Sequence, residues 1–303
     1  MQIKENWITY IHDLQDRICA AVEDIDTKGV FREDKWTRPA GGGGKTRILN
    51  NGTVFEKGGV NTSVVFGDVT EGMKIQLKMK GHKWFACGLS LVLHPFNPFV
   101  PTVHCNYRML EIYDESGETL DRWFGGGADL TPFYLFNEDA THFHKSYKRI
   151  CDQYDLEFYP EFKKECDQYF VNRHRNNETR GIGGIFFDYR RATPGKDENF
   201  WMSFAKSCGD GFAESYLPIV LKRMNTTFTD ANRFWQEIRR GRYTEFNLVH
   251  DRGTIFGLKT DGRTESILMS LPPTVRFEYD YQPLPGSEED KLWQACLHPK
   301  EWV

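Results

Sequence analysis

The sequence predicts an α+β fold with a large, mainly antiparallel β-sheet flanked by helices on both faces. Several strand-like segments follow one another with only short loops between them, and the helical segments are bunched instead of alternating with strands. No repeat, low-complexity tract or Pro/Ser-rich linker divides the 303 residues. We therefore expect residues 1–303 to form a single domain.

The first helix is the clearest element of the chain. Apolar side chains recur at helical spacing from Trp7 to Val22, and charged residues lie outside that stripe. Similar reasoning predicts further helices over 138–153, 160–174, 197–224, 229–240 and 288–297. Because Gly209 and Gly211 interrupt the third of these ranges, we expect that helix to be split there.

Alternating apolar and polar residues, rich in β-branched and aromatic types, predict the strands. We expect them over 62–67, 83–94, 102–113, 182–189, 243–251, 264–271 and 275–281. On the third of these, His104, Asn106 and Arg108 share one face, because side chains two residues apart point the same way. Three unpaired polar groups would cost roughly 1–3 kcal/mol each if buried. The face is therefore either solvated or a row of donors for an anionic ligand, and the His beside Asn and Arg favours the ligand.

Two glycine-rich segments are candidates for close contact with a ligand. Residues 41–46 end in Gly-Lys-Thr, as a phosphate-binding loop does, but Pro39 occupies the position of the first glycine of such a loop. We instead expect a mobile glycine loop that can become ordered over a ligand. In the second segment, residues 125–127 are all glycine and Asp129 follows them. This pattern predicts a sharp turn or a close approach to a ligand, with Asp129 as an acceptor.

The predicted strand over 243–251 places Glu245, Asn247 and Asp251 on one face. Arg252 follows Asp251 directly, so that opposite charges meet at the end of this strand. Such a pair is either an ordinary ion pair or a set of catalytic groups on a rigid support. The two interpretations are equally compatible with the pattern.

Composition excludes several classes of protein. The net charge of −4 provides no general field for nucleic acid, and no apolar stretch approaches the roughly 20 residues of a membrane-spanning helix. The seven cysteines are scattered without a Cys-x-x-Cys pair, as is typical of reduced thiols in a reducing compartment. With no apolar signal core near residue 1, we expect a cytoplasmic protein that neither spans a membrane nor binds nucleic acid.

The spacing of histidines and glycines gives little support for a bound cofactor. His142 and His144 are two residues apart in a predicted helix and so do not share a face. Arginines on both sides of His174 oppose the binding of a cation there. No convincing G-x-G-x-x-G unit is present for a nicotinamide or flavin.

Five longer motifs resemble those of the oxygen-dependent coproporphyrinogen III oxidase family, and the similarity extends over nearly the whole chain. They are FGGGADLTP at 124–132, RGIGGIFFD at 180–188, RRGRYTEFNLV at 239–249, DRGT at 251–254 and GRTESILMS at 262–270. The resemblance implies an antiparallel sheet flanked by helices, a homodimer, and a deep cleft closed by mobile elements.

The resemblance also implies a reaction. Two propionate groups of coproporphyrinogen III would be oxidatively decarboxylated to vinyl groups, giving protoporphyrinogen IX, CO2 and hydrogen peroxide in haem biosynthesis. Because the substrate supplies the electrons and O2 accepts them, no cofactor is expected to be required. Two alternatives use the same residues: a carrier that binds a tetrapyrrole without converting it, and a metal-dependent oxygenase.

Roles of individual residues follow from the same resemblance. The expected catalytic residues are His104, Asp129, Asp251 and Arg252. The expected substrate contacts are Ser90, Asn106, Tyr107, Arg108, Gly262, Arg263 and Thr264. In some bacterial members four histidines bind a divalent metal such as Mn, and the corresponding residues here are His94, His104, His144 and His174.

Overall fold

A seven-stranded sheet forms the centre of the computed structural model, which describes residues 2–77, 80–259 and 262–303. The described residues contain nine strands: Arg32–Thr37 (β1), Gly42–Asn50 (β2), Phe55–Asp68 (β3), Lys83–Pro95 (β4), Thr102–Tyr113 (β5), Thr119–Thr131 (β6), Val171–Asn172 (β7), Glu178–Thr179 (β8) and Gly183–Arg190 (β9). The order in the large sheet is β1-β2-β3-β4-β5-β6-β9, and all neighbours are antiparallel. The predicted antiparallel sheet is thereby confirmed.

Ten helices accompany the sheet within the described residues. They are Gln2–Asp26 (α1), Glu71–Leu77 (α2), Asn137–Asp152 (α3), Phe158–Tyr169 (α4), Glu198–Asp210 (α5), Phe212–Arg223 (α6), Asp230–Val249 (α7), Arg252–Lys259 (α8), Thr264–Leu268 (α9) and Glu288–Leu297 (α10). The helix predicted over 197–224 is split at Gly211, as expected.

The main hydrophobic core lies between one face of the sheet and a layer of helices that includes α1 and α3 to α6. The apolar stripe of α1 packs on β3 and β4, and its Trp7, Ile11 and Leu14 are almost completely buried. The indole N–H of Trp7 donates to the backbone oxygen of Cys87 on β4, 3.1 Å away. This burial is the reason that the helical spacing of the first segment is so regular.

The other face of the sheet is only partly covered. Arg240 of α7 donates to the backbone oxygen of Pro95, at the end of β4. Ser266 of α9 bonds to Thr46 of β2 through its hydroxyl, and its backbone oxygen accepts from Asn61 of β3. These contacts hold α7 and α9 over part of this face. A cleft remains between the two helices and the sheet.

Three predicted strands are wrong. The range 243–251 is mostly the second half of α7, where nearly every residue from Arg239 to Asn247 is buried. A helix buried on most sides carries no polar stripe, so its helical period is not visible in the sequence. The range 264–271 instead begins with the short helix α9, and 275–281 contains neither helix nor strand.

Both glycine-rich segments are strands, which corrects the predicted mobile loop and the predicted turn. Residues 42–50 form β2, paired on both sides, and residues 125–127 lie within β6. At Gly127 a Cβ atom would lie 2.4 Å from the backbone oxygen of Ile185 on β9. This glycine allows the close approach of two strands. Because glycine is otherwise rare in strands, a run of glycines predicts a loop or turn even where it forms a strand.

None of the helices in the described ranges combines the length and apolar character that crossing a lipid bilayer requires.

Candidate active site

A cleft of about 1320 Å³ opens on the sheet face that the main helical layer leaves free. Alternate residues of β3, β4 and β5 form its floor, and the end of α4, the end of β9 and the α7–α9 region form its walls and roof. It gathers eight of the predicted site residues: Ser90, His104, Asn106, Arg108, Asp251, Arg252, Gly262 and Arg263. The cleft therefore joins segments that are distant in the sequence.

The shared face predicted for β5 is confirmed. His104, Asn106 and Arg108 line the cleft, whereas Cys105 and Tyr107 are fully buried on the opposite side of the strand. Such alternation is expected for a strand with a core on one face and a ligand site on the other.

Three of the predicted catalytic and substrate-binding residues lie outside this lining. The hydroxyl of Tyr107 donates to the backbone oxygen of Cys208 in the core, 3.0 Å away, because its odd position on β5 faces the helices. Thr264 is exposed at the start of α9. Asp129 is buried beneath His104. The structure thus does not place Tyr107 or Thr264 where a substrate contact in the cleft would need them.

Beneath His104 lies a buried ion pair. The Nδ1 atom of His104 is 2.8 Å from Oδ1 of Asp129, and Nη2 of Arg180 is 2.9 Å from the same oxygen. Burial would raise the pKa of Asp129, but the Arg180 charge and the His104 hydrogen bond bring it below its usual value. Asp129 is therefore an ionised acceptor, so Nδ1 of His104 carries a proton and Nε2 is left for the cleft.

Arg180 is itself held on several sides. Its Nη1 donates to Oδ1 of Asn247 on α7 at 2.8 Å, and its guanidinium carbon is 4.1 Å from the ring centre of Phe170 and 4.7 Å from that of Tyr243. Burial would lower the pKa of Arg180, but the charge of Asp129 raises it above its ordinary value. A fixed guanidinium thus keeps the carboxylate behind His104 charged and in place.

A second acid lies between two arginines in the cleft. Oδ2 of Asp188 is 2.7 Å from Nη2 of Arg108 and 3.9 Å from Nη2 of Arg252. Arg108 also donates through Nη1 to the side-chain oxygen of Asn106, at 2.8 Å. Two guanidinium groups and a carboxylate therefore face the same part of the cleft.

Asp251 stands at the start of α8, not at the end of a strand. Its Oδ2 accepts from the backbone N–H of Thr254 at 2.7 Å, and its Oδ1 accepts from the hydroxyl of Tyr169 at 2.9 Å. Burial and the nearby charge of Asp251 raise the pKa of Tyr169 to about 12, so its hydroxyl remains a donor. These two donors fix the orientation of the Asp251 carboxylate at the cleft wall.

The four histidines considered for a metal are not brought together. His94 is buried, with Nδ1 at 3.2 Å from the hydroxyl of Thr102 and Nε2 at 2.9 Å from the backbone oxygen of Ser270. His144 and His174 likewise use both ring nitrogens in hydrogen bonds with protein groups. Nowhere in the described ranges do three or more His, Cys, Asp or Glu side chains form a group able to hold a metal ion. The four residues therefore do not fit a shared metal site.

Sequence reasoning assigned no role to Arg180, Asp188 or Asn247. Arg180 and Asp188 are the first and last residues of one family-like motif, and Asp188 is the first acid after the apolar run of β9. That change from apolar to acidic at a strand end was the available signal. The sequence predicts a strand around Asn247, whereas the residue lies on the inner side of α7, so its contact with Arg180 does not follow from the pattern.

The comparisons with known proteins agree on one family. Residues 6–302 match the family described as coproporphyrinogen III oxidase. The chain is 50% identical over 303 residues to the chloroplastic oxygen-dependent coproporphyrinogen-III oxidase of Glycine max, covering 97% of this chain and 78% of the relative. It is 49% identical over 314 residues to the oxygen-dependent coproporphyrinogen-III oxidase of Prochlorococcus marinus (strain MIT 9312), covering 96% of this chain and 90% of the relative.

Proposed function

The chain belongs to the coproporphyrinogen III oxidase family, and from this premise we infer that its cleft binds coproporphyrinogen III and converts two propionate groups to vinyl groups. Each step turns –CH2–CH2–COOH and O2 into –CH=CH2, CO2 and H2O2. The bond from the chain to the carboxyl carbon and one C–H bond of the carbon next to the ring break, a C=C bond forms, and O2 takes up two electrons and two protons. The final product is protoporphyrinogen IX, an intermediate of haem biosynthesis.

The observation that carries this function is the mixture of cations and acids in one cleft. The substrate presents carboxylates at its edge and pyrrole N–H donors at its centre. Arg108, Arg252 and Arg263 provide guanidinium groups for the carboxylates, while Asp188 and Asp251 provide acceptors for N–H groups. A carboxylate beside a pyrrole N–H increases the electron density of the ring and favours its oxidation by O2.

We assign the proton transfer to His104. Because its Nδ1–H is committed to Asp129, its Nε2 is the atom that exchanges a proton with the substrate or with reduced oxygen. Asp129 acts through His104 as a positioning residue, in the way that a buried carboxylate fixes the tautomer of a catalytic histidine.

The reaction is proposed to need neither a metal nor an organic cofactor, because the macrocycle itself is the electron donor. The engaged ring nitrogens of His94, His144 and His174 support this proposal. All seven cysteines are buried free thiols, which supports a reducing location such as the cytoplasm. We propose one catalytic domain over residues 1–303.

A homodimer is the proposed assembly. Apolar side chains are exposed near the end of α7 and in the following segment, including Val249, Leu258, Phe277 and Tyr279. Exposed apolar groups in one region are typical of an interface between copies of a protein. We therefore propose that the dimer contact lies in this region.

The oxidase is tested by supplying coproporphyrinogen III without oxygen and then admitting air. We expect porphyrinogens with three and then two carboxyl groups to accumulate only when both protein and O2 are present, as separated by chromatography after reoxidation. Boiled protein and a sample kept anaerobic are the controls. A carrier would instead bind the substrate and return it with all four carboxyl groups, which would contradict the proposed function.

A further inference from the structure

Six arginines line the cleft in the part of the chain that the structure describes, and five of them form ion pairs with carboxylates. The pairs are Arg108 and Arg252 with Asp188, Arg180 with Asp129, Arg191 with Asp121, and Arg263 with Asp34. Arg38 is the sixth, and no carboxylate of the described residues pairs with it. It is therefore the cleft arginine whose charge is most available to an anionic ligand.

The guanidinium of Arg38 also contains a donor without an acceptor. Its Nη1 is buried and has no hydrogen-bond partner within the described ranges. A buried donor left unsatisfied is unfavourable, and more so when the group is charged. A carboxylate entering the cleft would remove this cost by accepting the hydrogen bond.

The structure holds Arg38 in place before any ligand binds. Its guanidinium carbon is 5.4 Å from the ring centre of Trp84, so that the aromatic ring supports the charged plane. Its backbone N–H donates to the oxygen of Gly42 at 2.8 Å in the turn between β1 and β2, where Gly42 has a φ of 83° that favours glycine. A preorganised arginine loses little conformational entropy when it binds a carboxylate.

The position of Arg38 in the cleft determines which carboxylate of a bound ligand lies within its reach. Trp84 is paired with Ile112 on β5, four residues from Arg108 and eight from His104. At about 3.3 Å per residue, the Arg38–Trp84 pair is about 13 Å from Arg108 and about 26 Å from His104 along the strand. The first separation is comparable with that between propionates on different rings of a tetrapyrrole, and the second places Arg38 at the end of the cleft remote from His104.

We propose that Arg38 binds a propionate carboxylate of the tetrapyrrole that does not react and is retained in the product. This inference rests on the proposed function, which provides a substrate with four propionates. The ligand group is a carboxylate on a flat or puckered tetrapyrrole. Arg38 would thereby fix the edge of the macrocycle that lies remote from His104.

The test combines steady-state kinetics with the binding of oxidised porphyrins, which needs no turnover. Arg38→Met keeps an unbranched apolar side chain but removes the guanidinium group that lies over Trp84, and Arg38→Lys keeps the charge without the planar fork. Arg32→Met, at the exposed start of β1, is the matched control. Circular dichroism and thermal unfolding would confirm that each variant is folded.

We expect Arg38→Met to raise KM about tenfold or more and to leave kcat within about twofold, since the lost contact does not change in the reaction. Arg38→Lys should fall between Arg38→Met and wild type, and Arg32→Met should match wild type. Arg38→Met should also weaken the binding of coproporphyrin III and of protoporphyrin IX by similar factors, measured by fluorescence anisotropy, because both retain the same two propionates.

Two results would overturn the proposal. If Arg38→Met bound both porphyrins as tightly as Arg32→Met, Arg38 would hold no carboxylate. If it weakened coproporphyrin III alone, Arg38 would hold a propionate that reacts. The proposed function is tested separately: it would be contradicted if the wild-type protein did not convert coproporphyrinogen III. Binding of the two porphyrins could still be measured and interpreted in that case.

Discussion

Substitution of His104 by alanine is expected to lower kcat by about two to four orders of magnitude, the usual contribution of a positioned proton donor. The side chain is the cleft group whose Nδ1 is committed to Asp129 and whose Nε2 is left for the substrate side. KM should change little, because Arg108 and the other guanidinium groups remain in place. Steady-state rates of product formation measure both constants.

A chemical readout separates proton transfer from a merely structural role. Imidazole added to the His104→Ala variant should restore part of the lost kcat. The restored kcat should follow the concentration of one protonation form of imidazole as the pH is varied. His82→Ala, which changes an exposed histidine on the loop before β4, serves as the control and should keep wild-type rates. A His104→Ala variant with normal turnover would remove His104 from the mechanism.

Substitution of Arg180 by methionine is expected to reduce the free energy of unfolding by about 3–5 kcal/mol and to abolish most activity. The change leaves the Asp129 carboxylate buried without its main counter-charge, and it removes the group that orients the acid behind His104. Urea denaturation followed by circular dichroism gives the free energy. Arg191→Met, in a half-exposed pair with Asp121, should cost only about 0–1 kcal/mol.

The double variant Arg180→Met/Asp129→Leu distinguishes charge burial from loss of packing. Because it removes both charges together, it should recover much of the stability and yet remain inactive. Equal destabilisation by the single and the double change would show that packing, and not the unpaired charge, is responsible.

Acid should weaken this ion pair in a defined direction. The pKa of Asp129 is below its usual value in the folded protein. Its contribution to stability is therefore fully present above the ordinary pKa of about 3.9 and is lost as the pH falls through the lower, folded value. The stability difference between wild type and Arg180→Met should accordingly be largest near neutral pH and should decrease in strong acid.

The elements that the sequence predicted well are those with one buried face. Helix α1 and strands β4 and β5 each have one side in the core and the other side toward solvent or the cleft. Apolar residues therefore recur in their sequences with the helical or strand period. Strand β1 is mostly exposed and charged, β2 and β6 contain runs of glycine, and the end of α7 is almost completely buried. None of these has a clear period, which explains why they were missed or misassigned.

The same distinction applies to the site. The row of His104, Asn106 and Arg108 follows from period-two alternation on a single strand. The support of His104 by Asp129 and Arg180 depends on tertiary contacts, because the latter two residues are 51 positions apart and meet only through the pairing of β6 with its neighbours. Local patterns carry no information about such a contact, so only the folded structure shows it.

The central claim is that the bound macrocycle reacts with O2 without a metal or an organic cofactor. The most direct test is to measure turnover by metal-depleted protein. Purified protein would be treated with a chelator, its metal content measured by elemental analysis, and its consumption of O2 and release of CO2 followed with coproporphyrinogen III in aerated buffer. Full activity with equal amounts of O2 consumed and CO2 released is the predicted result. Protein that is inert until a metal or a redox cofactor is returned would contradict the account.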